Sequence, residues 1–143
     1  MKMPNILPLA ILGTVLALSV RAVIANYSVP SGDDPAHAPV IPEFSKVAAA
    51  GQQAFEENCS KCHGVSGIGT NNGPPLLHQI YNPGHHSDES FRNAVQRGVQ
   101  QHHWRFGSMP AQLQVTNIQI KQLTQYVREL QQANGIVYEP HRM

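Results

Sequence analysis

The chain has 143 residues, of which 13% are charged and 6% aromatic, and its formal net charge is +1. A balance this close argues for neither a nucleic-acid partner nor a strongly anionic surface. The length suits one small domain with a segment in front of it, although so few rings are thin for a core of about a hundred residues.

After Lys2 the run from Asn5 to Val20 is almost wholly apolar, broken only by Pro8 and small residues, and it resumes after Arg21 as Ala22-Val23-Ile24-Ala25. Two readings of residues 1–25 are open. As a signal peptide the segment has a weakly basic start, an apolar middle, and Val23 and Ala25 at −3 and −1 before Asn26. As an uncleaved anchor, residues 5–25 would span roughly 31 Å at about 1.5 Å each, one hydrocarbon thickness, with Arg21 near enough to the end to snorkel. Residues 26–44 carry Pro30, Pro35, Pro39 and Pro42 among small or polar residues, a composition that favours extended polyproline-like chain over packing. A tether of that kind, reaching roughly 60 Å at about 3.1 Å per residue, suits an anchored domain better than a secreted one. The expected location is outside the cytoplasm, on the periplasmic side, either held by the N-terminal segment or soluble after its cleavage.

From Ser45 onward the periodicity is helical, so residues 45–143 are expected to form one all-α domain. The first helix is expected from Lys46 to Asn58, with Val47, Ala50, Gly51, Ala54 and Phe55 on one side and Gln52, Gln53, Glu56 and Glu57 toward water. It runs straight into Cys59-Ser60-Lys61-Cys62-His63, and C-x-x-C-H is the covalent attachment pattern of a c-type haem. In that chemistry the two thiols add to the two vinyl groups and the imidazole that follows turns onto the iron. Cys59 and Cys62 are the only cysteines, which leaves no thiol for a disulfide. The competing uses of C-x-x-C are a thioredoxin-like redox motif, which expects a strand-rich α/β pattern, and half of a zinc site, which needs a further ligand pair. The chain shows neither pattern. A haem in the middle would also supply the large apolar body that the few aromatic side chains do not, so the chain without it should fold poorly.

Residues 65–84 are rich in Gly, Asn and Pro and are expected to form a loop that wraps one face of the ring. A second helix is expected from Ser87 or Asp88, with Phe91, Ala94 and Val95 on its buried side and Gly98 as its end. The last helix has the clearest signals. Thr116 with Gln119 makes a capping-box pattern, Ile120, Leu123, Val127 and Leu130 repeat at three and four, and Gly135 stands just beyond as a stop.

Over about residues 45–134 these features resemble the class I cytochrome c family, which implies an all-α fold of about three to five helices wrapped around one covalently bound haem c. Gly51 and Phe55 match the family's Gly-x-x-x-aromatic pattern of the first helix, and Leu123 and Tyr126 its Leu-x-x-Tyr of the last. The resemblance implies that these two helices cross near the glycine and the aromatic ring. Gly73-Pro74-Pro75-Leu76 is similar to the Gly-Pro-x-Leu segment whose proline carbonyl accepts a hydrogen bond from the axial histidine, which assigns to Pro74 the orientation of His63. Met109-Pro110 resembles the segment that supplies a thioether to the other side of the iron. Met1 and Met3 lie in the leader and Met143 is the last residue, so Met109 is the one candidate. Its bland reading is a core gap-filler. The chain has fewer lysines than the mitochondrial members, and a basic docking ring is not expected.

His85-His86 and His102-His103 form two adjacent pairs, with His37 and His78 alone. Neighbours on a loop seldom converge on one metal without further ligands, so the expectation is solvated loop histidine, with partner docking, pH-dependent charge or replacement of Met109 as sixth ligand as the alternatives. Trp104 and Arg105 stand just ahead of Met109 and could reach haem propionates through indole N–H and guanidinium. Ordinary packing is the other reading of Trp104, and Tyr81 is a further propionate candidate.

The function these residues point to is one-electron transfer, without catalysis, by a haem bound between His63 and Met109. Its partners would be redox proteins engaged by small, transient interfaces, with no nucleic acid and no small-molecule substrate, and the membrane reached through the N-terminal segment. Two other functions are open. The domain could be a fixed cytochrome c subunit of a membrane oxidoreductase complex, or a haem enzyme or sensor whose sixth ligand is displaceable.

Overall fold

The computed structural model describes residues 38–140. The signal peptide or anchor expected at 1–25, and most of the linker expected at 26–44, lie outside the described residues. Among the described residues no helix is long and apolar enough to cross a membrane.

Among the described residues four helices make the framework: α1, Lys46–Asn58; α2, Ser60–His63; α3, Asp88–Arg97; and α4, Asn117–Ala133. Two short 3-10 turns, Val65–Gly67 and Gln79–Tyr81, interrupt the stretch expected to be plain loop. No strand forms among the described residues, and pairing is confined to two isolated bridges, Thr70 with Gly73 and Val99 with Met109. The architecture is the all-α one expected.

Each long helix starts where a side chain can take up free amide groups. The Ser45 hydroxyl accepts from Ala48 N, the Ser87 hydroxyl from Ser90 N, and Thr116 and Gln119 complete a reciprocal capping box. A cap of this kind contributes about 1 kcal/mol. Ser45 is also tied across the fold, since its N–H and hydroxyl both donate to the Glu129 carboxylate at 3.0 and 2.7 Å.

The core is the crossing of α1 and α4. Ala48, Ala54 and Phe55 of α1 pack with Ile120, Leu123, Tyr126, Val127 and Leu130 of α4, and Val115 closes one end. Tyr126 sits between Phe44 and Phe55, with ring centroids 5.1 and 5.4 Å away and tilted planes, an arrangement that adds to plain burial. Gly51 lets the two backbones touch: a Cβ there would fall 2.0 Å from the Gln122 carbonyl oxygen. That contact also sets which face of α1 is buried. Val47, expected inside, is 51% exposed, and Ala48 takes the inner position.

The compact unit begins at Pro39, earlier than the linker boundary expected at Phe44. Val40 exchanges hydrogen bonds with the Asn134 side chain, N–H to Oδ1 and Nδ2–H to carbonyl, both at 2.8 Å. Phe44 then packs on Tyr126. Two polar residues of α4 hold the segments that flank it. Gln131, fully buried, donates to the Leu76 and Tyr81 carbonyls at 2.9 and 3.1 Å and accepts from Arg128 at 2.7 Å. Arg128 also reaches the Tyr81 and His86 carbonyls and the Asp88 carboxylate, and its guanidinium lies 4.7 Å from the Phe91 ring centroid. A buried network with its groups satisfied fixes one arrangement of the chain around it.

Candidate haem site

The C-x-x-C-H segment folds as the single turn α2, immediately after α1. His63 N–H donates to the Cys59 carbonyl at 2.9 Å, and Cys59 N–H to Phe55 at 2.8 Å, so the motif continues the scaffold of the core. The following loop closes back on it. Thr70 Oγ1 donates to the Cys62 carbonyl at 2.6 Å, Thr70 N–H donates to Gly73, and Gly73 lies so close that a Cβ would meet the Cys62 carbonyl oxygen at 2.8 Å. The return brings the Pro74 carbonyl to 2.9 Å from His63 Nδ1. A donated Nδ1–H fixes the ring's tautomer and leaves the lone pair on Nε2. Burial holds His63 below the usual histidine range, with the Pro74 bond acting the other way, a bias toward the neutral ring that a metal ligand requires.

Met109 reaches the same cavity from another part of the chain. Its N–H and carbonyl both pair with Val99 at 2.9 Å, directly after Gly98, whose positive φ of 75° and whose contact with the Met109 carbonyl leave no room for a side chain. The turn that ends α3 therefore sets the position of Met109, and Gln112 N–H, bonded to Val95 at 2.7 Å, fixes the chain beyond it.

Cys59, His63, Pro74, Trp104 and Met109 border one cavity of about 510 Å³, whose remaining walls are mainly apolar. Phe91, Ala94 and Val95 of α3 also line it and are half-buried. Of the other two residues expected in the site, Cys62 is exposed on the motif turn, and Arg105 is exposed and outside the cavity lining. The expected approach of Arg105 to a propionate thus has no support in its position, whereas Trp104 does face the cavity. Burial pushes the Cys59 thiol up to about 11, with Glu56 and Cys62 adding to it. A redox-active C-x-x-C has the opposite bias, toward thiolate.

These residues fit a haem c on three observations. The cavity is apolar and within the size range of cofactor pockets. A neutral imidazole and a thioether, ligands suited to haem iron, border it together. Trp104 Nε1 is buried with no hydrogen-bond partner, a donor suited to an anionic group such as a propionate. Tyr81 stands beside that indole, and burial pushes its phenol up while the indole acts the other way.

His102 and His103 are exposed, as expected of solvated loop histidines, and His85 and His86 are half-buried, but the four are not separate side chains. His85, His86, His102 and His103 converge along the cavity's edge, and His85 Nε2 lies 3.3 Å from His103 Nε2. Burial and the charge of the neighbouring rings hold His103 below the usual histidine range, and burial does the same for His86, with its bond to the Ile80 carbonyl acting the other way. Arg128 and Gln131, which hold the Leu76, Tyr81 and His86 carbonyls, were also not legible as part of the site. Their signal is two polar residues on or beside the apolar stripe of α4.

No curated protein matches the chain. The family model for cytochrome c matches residues 48–131, from α1 to near the end of α4. With more than half of its length matched, the chain belongs to the cytochrome c family, whose members carry covalently attached haem c and use its iron for electron transfer.

Proposed function

We propose that this protein passes single electrons between redox partners outside the cytoplasm, with Cys59 and Cys62 as the thioether anchors of its haem and His63 and Met109 as the axial ligands. The observation that carries the reading is the 2.9 Å contact of His63 Nδ1 with the Pro74 carbonyl, made on the wall of the cavity that Met109 also lines. Bound haem c supplies a reversible one-electron ferric and ferrous couple. The chain's part is to set that couple and guard it. Pro74 holds His63 in one tautomer and orientation. The Val99 pairing would hold Met109 in place beside the iron, so that electron transfer would need little rearrangement. The soft thioether favours ferrous iron and raises the potential relative to a second histidine. Leu76, Phe91 and Val95 would keep water off the ring, and Trp104 Nε1 would be the donor to a propionate.

The partners are redox proteins met through small, transient interfaces, as is usual for electron-transfer encounters. The apolar run at 5–25 supports an extracytoplasmic location, with the proline-rich chain after it as a spacer from the membrane.

Met109→Ala tests the ligand assignment. The oxidised wild type is expected to show the weak far-red band of sulfur-to-iron charge transfer and to bind added small ligands slowly. The variant is expected to lose the band, bind small ligands faster and have a lower reduction potential. A band absent from the wild type, or retained in the variant, would remove Met109 as ligand.

A further inference from the structure

Two histidine pairs, well separated in sequence, pack their rings into one cluster. Ring centroids are 4.7 Å apart for His85 and His86, 5.2 Å for His85 and His103, 5.1 Å for His86 and His103, and 4.2 Å for His102 and His103. One ligand nitrogen from each of His85, His86 and His103 lies within 4.8 Å of the others.

The separation of the closest two is informative. Two imidazoles bound to one tetrahedral ion at about 2.0–2.1 Å have nitrogens about 3.3 Å apart, and His85 Nε2 is 3.3 Å from His103 Nε2. The orientation of the third ring is fixed from behind. His86 Nδ1 lies 2.6 Å from the Ile80 carbonyl, so it carries the proton and Nε2 keeps the lone pair. A histidine that donates its other N–H to a backbone carbonyl is the usual state of a metal ligand. His102 repeats the device, with Nδ1 2.8 Å from the Gln100 carbonyl. Glu139 borders the outer cavity that His85 and His103 also line.

We propose that His85, His86 and His103 form a second metal site, separate from the haem iron, that binds a divalent late-transition ion of the zinc or copper class. Imidazole is a ligand suited to both, and copper is the tighter of the two for a given site. The ion would tie the loop before α3 to the loop that leads to Met109, so its binding should also stabilise the folded chain. A bare N–H···N bond between His85 and His103 accounts for the 3.3 Å contact alone. It does not account for the third ring, held with its lone pair free beside them.

The test uses the full-length protein with its haem in place, stripped of loose metal by a chelator and titrated calorimetrically with zinc chloride and, separately, with copper sulfate. One ion per chain is expected, with affinity at least tenfold weaker in His103→Ala and in His85→Ala. The melting temperature should rise with the ion in the wild type and not in the His85→Ala, His103→Ala double variant. An unchanged haem spectrum in each variant shows that the fold is kept, and where alanine disturbs it, His103→Gln replaces it. Binding of either ion with this pattern supports the site and names the ion. Equal binding by wild type and double variant, or no binding by the wild type, overturns it.

Discussion

Gly51→Ala is expected to lower the melting temperature of the haem-loaded protein by more than about 12 °C, because the α1–α4 crossing has no room for a methyl group. A Cβ at this position would lie 2.0 Å from the Gln122 carbonyl oxygen, 2.4 Å from its carbon and 3.0 Å from the Leu123 nitrogen. All three are backbone atoms inside a helix, so no side chain can swing aside. The helices must separate, and Phe55, Leu123 and Tyr126 lose contact with one another. Overpacking costs typically about 1–3 kcal/mol, and a clash with rigid backbone belongs at or beyond the upper end. The gain of about 1 kcal/mol in helix propensity from glycine to alanine does not offset it. At roughly 4–8 °C per kcal/mol for a domain of this size, a net loss near 3 kcal/mol gives the stated shift. A melting temperature within a few degrees of the wild type would mean that the two helices do not meet at Gly51.

The second large effect concerns the cofactor as part of the core. A chain with both Cys59→Ser and Cys62→Ser is expected to yield no stably haem-loaded protein and, without haem, no sharp thermal transition. The reason lies in the distribution of burial. Fully buried apolar residues are concentrated on α1 and α4, while Phe91, Ala94 and Val95 of α3 are half-buried and line the cavity. A helix whose apolar face has no other large surface to cover depends on the group that fills the cavity. Circular dichroism on the double variant decides the matter. Native helix content with a cooperative melt would show that the polypeptide core suffices alone.

Much of this was legible in local chemistry. The bounds of α1, the Ser87 and Thr116 caps and the buried stripe of α4 follow from hydrogen-bonding capacity and a 3.6-residue period, which act within a few residues of each other. The haem motif is as local, five residues on one turn. What depended on distant packing was harder to read. The buried face of α1 is displaced from Val47 to Ala48, because the face is chosen by where Gly51 meets Gln122 rather than by hydrophobicity along α1. The histidine pairs read as solvated loops, since nothing in two dipeptides reveals that the loops carrying them meet. Arg128 and Gln131 carry no local signal of their role, which exists only once the Leu76, Tyr81 and His86 carbonyls are brought to them. The position of Met109 relied on the resemblance, and its physical cause, the bridge to Val99 after Gly98, spans two loops.

Attachment of the haem through Cys59 and Cys62 beside His63 is tested most directly by the mass of the protein after acid extraction, followed by that of its peptides. The expected result is a chain that keeps one haem through extraction, with the whole added mass on the peptide that contains Cys59 and Cys62 and no free thiol by alkylation. Haem that extracts into acid solvent, or a peptide in which both cysteines alkylate, would contradict covalent attachment at these residues.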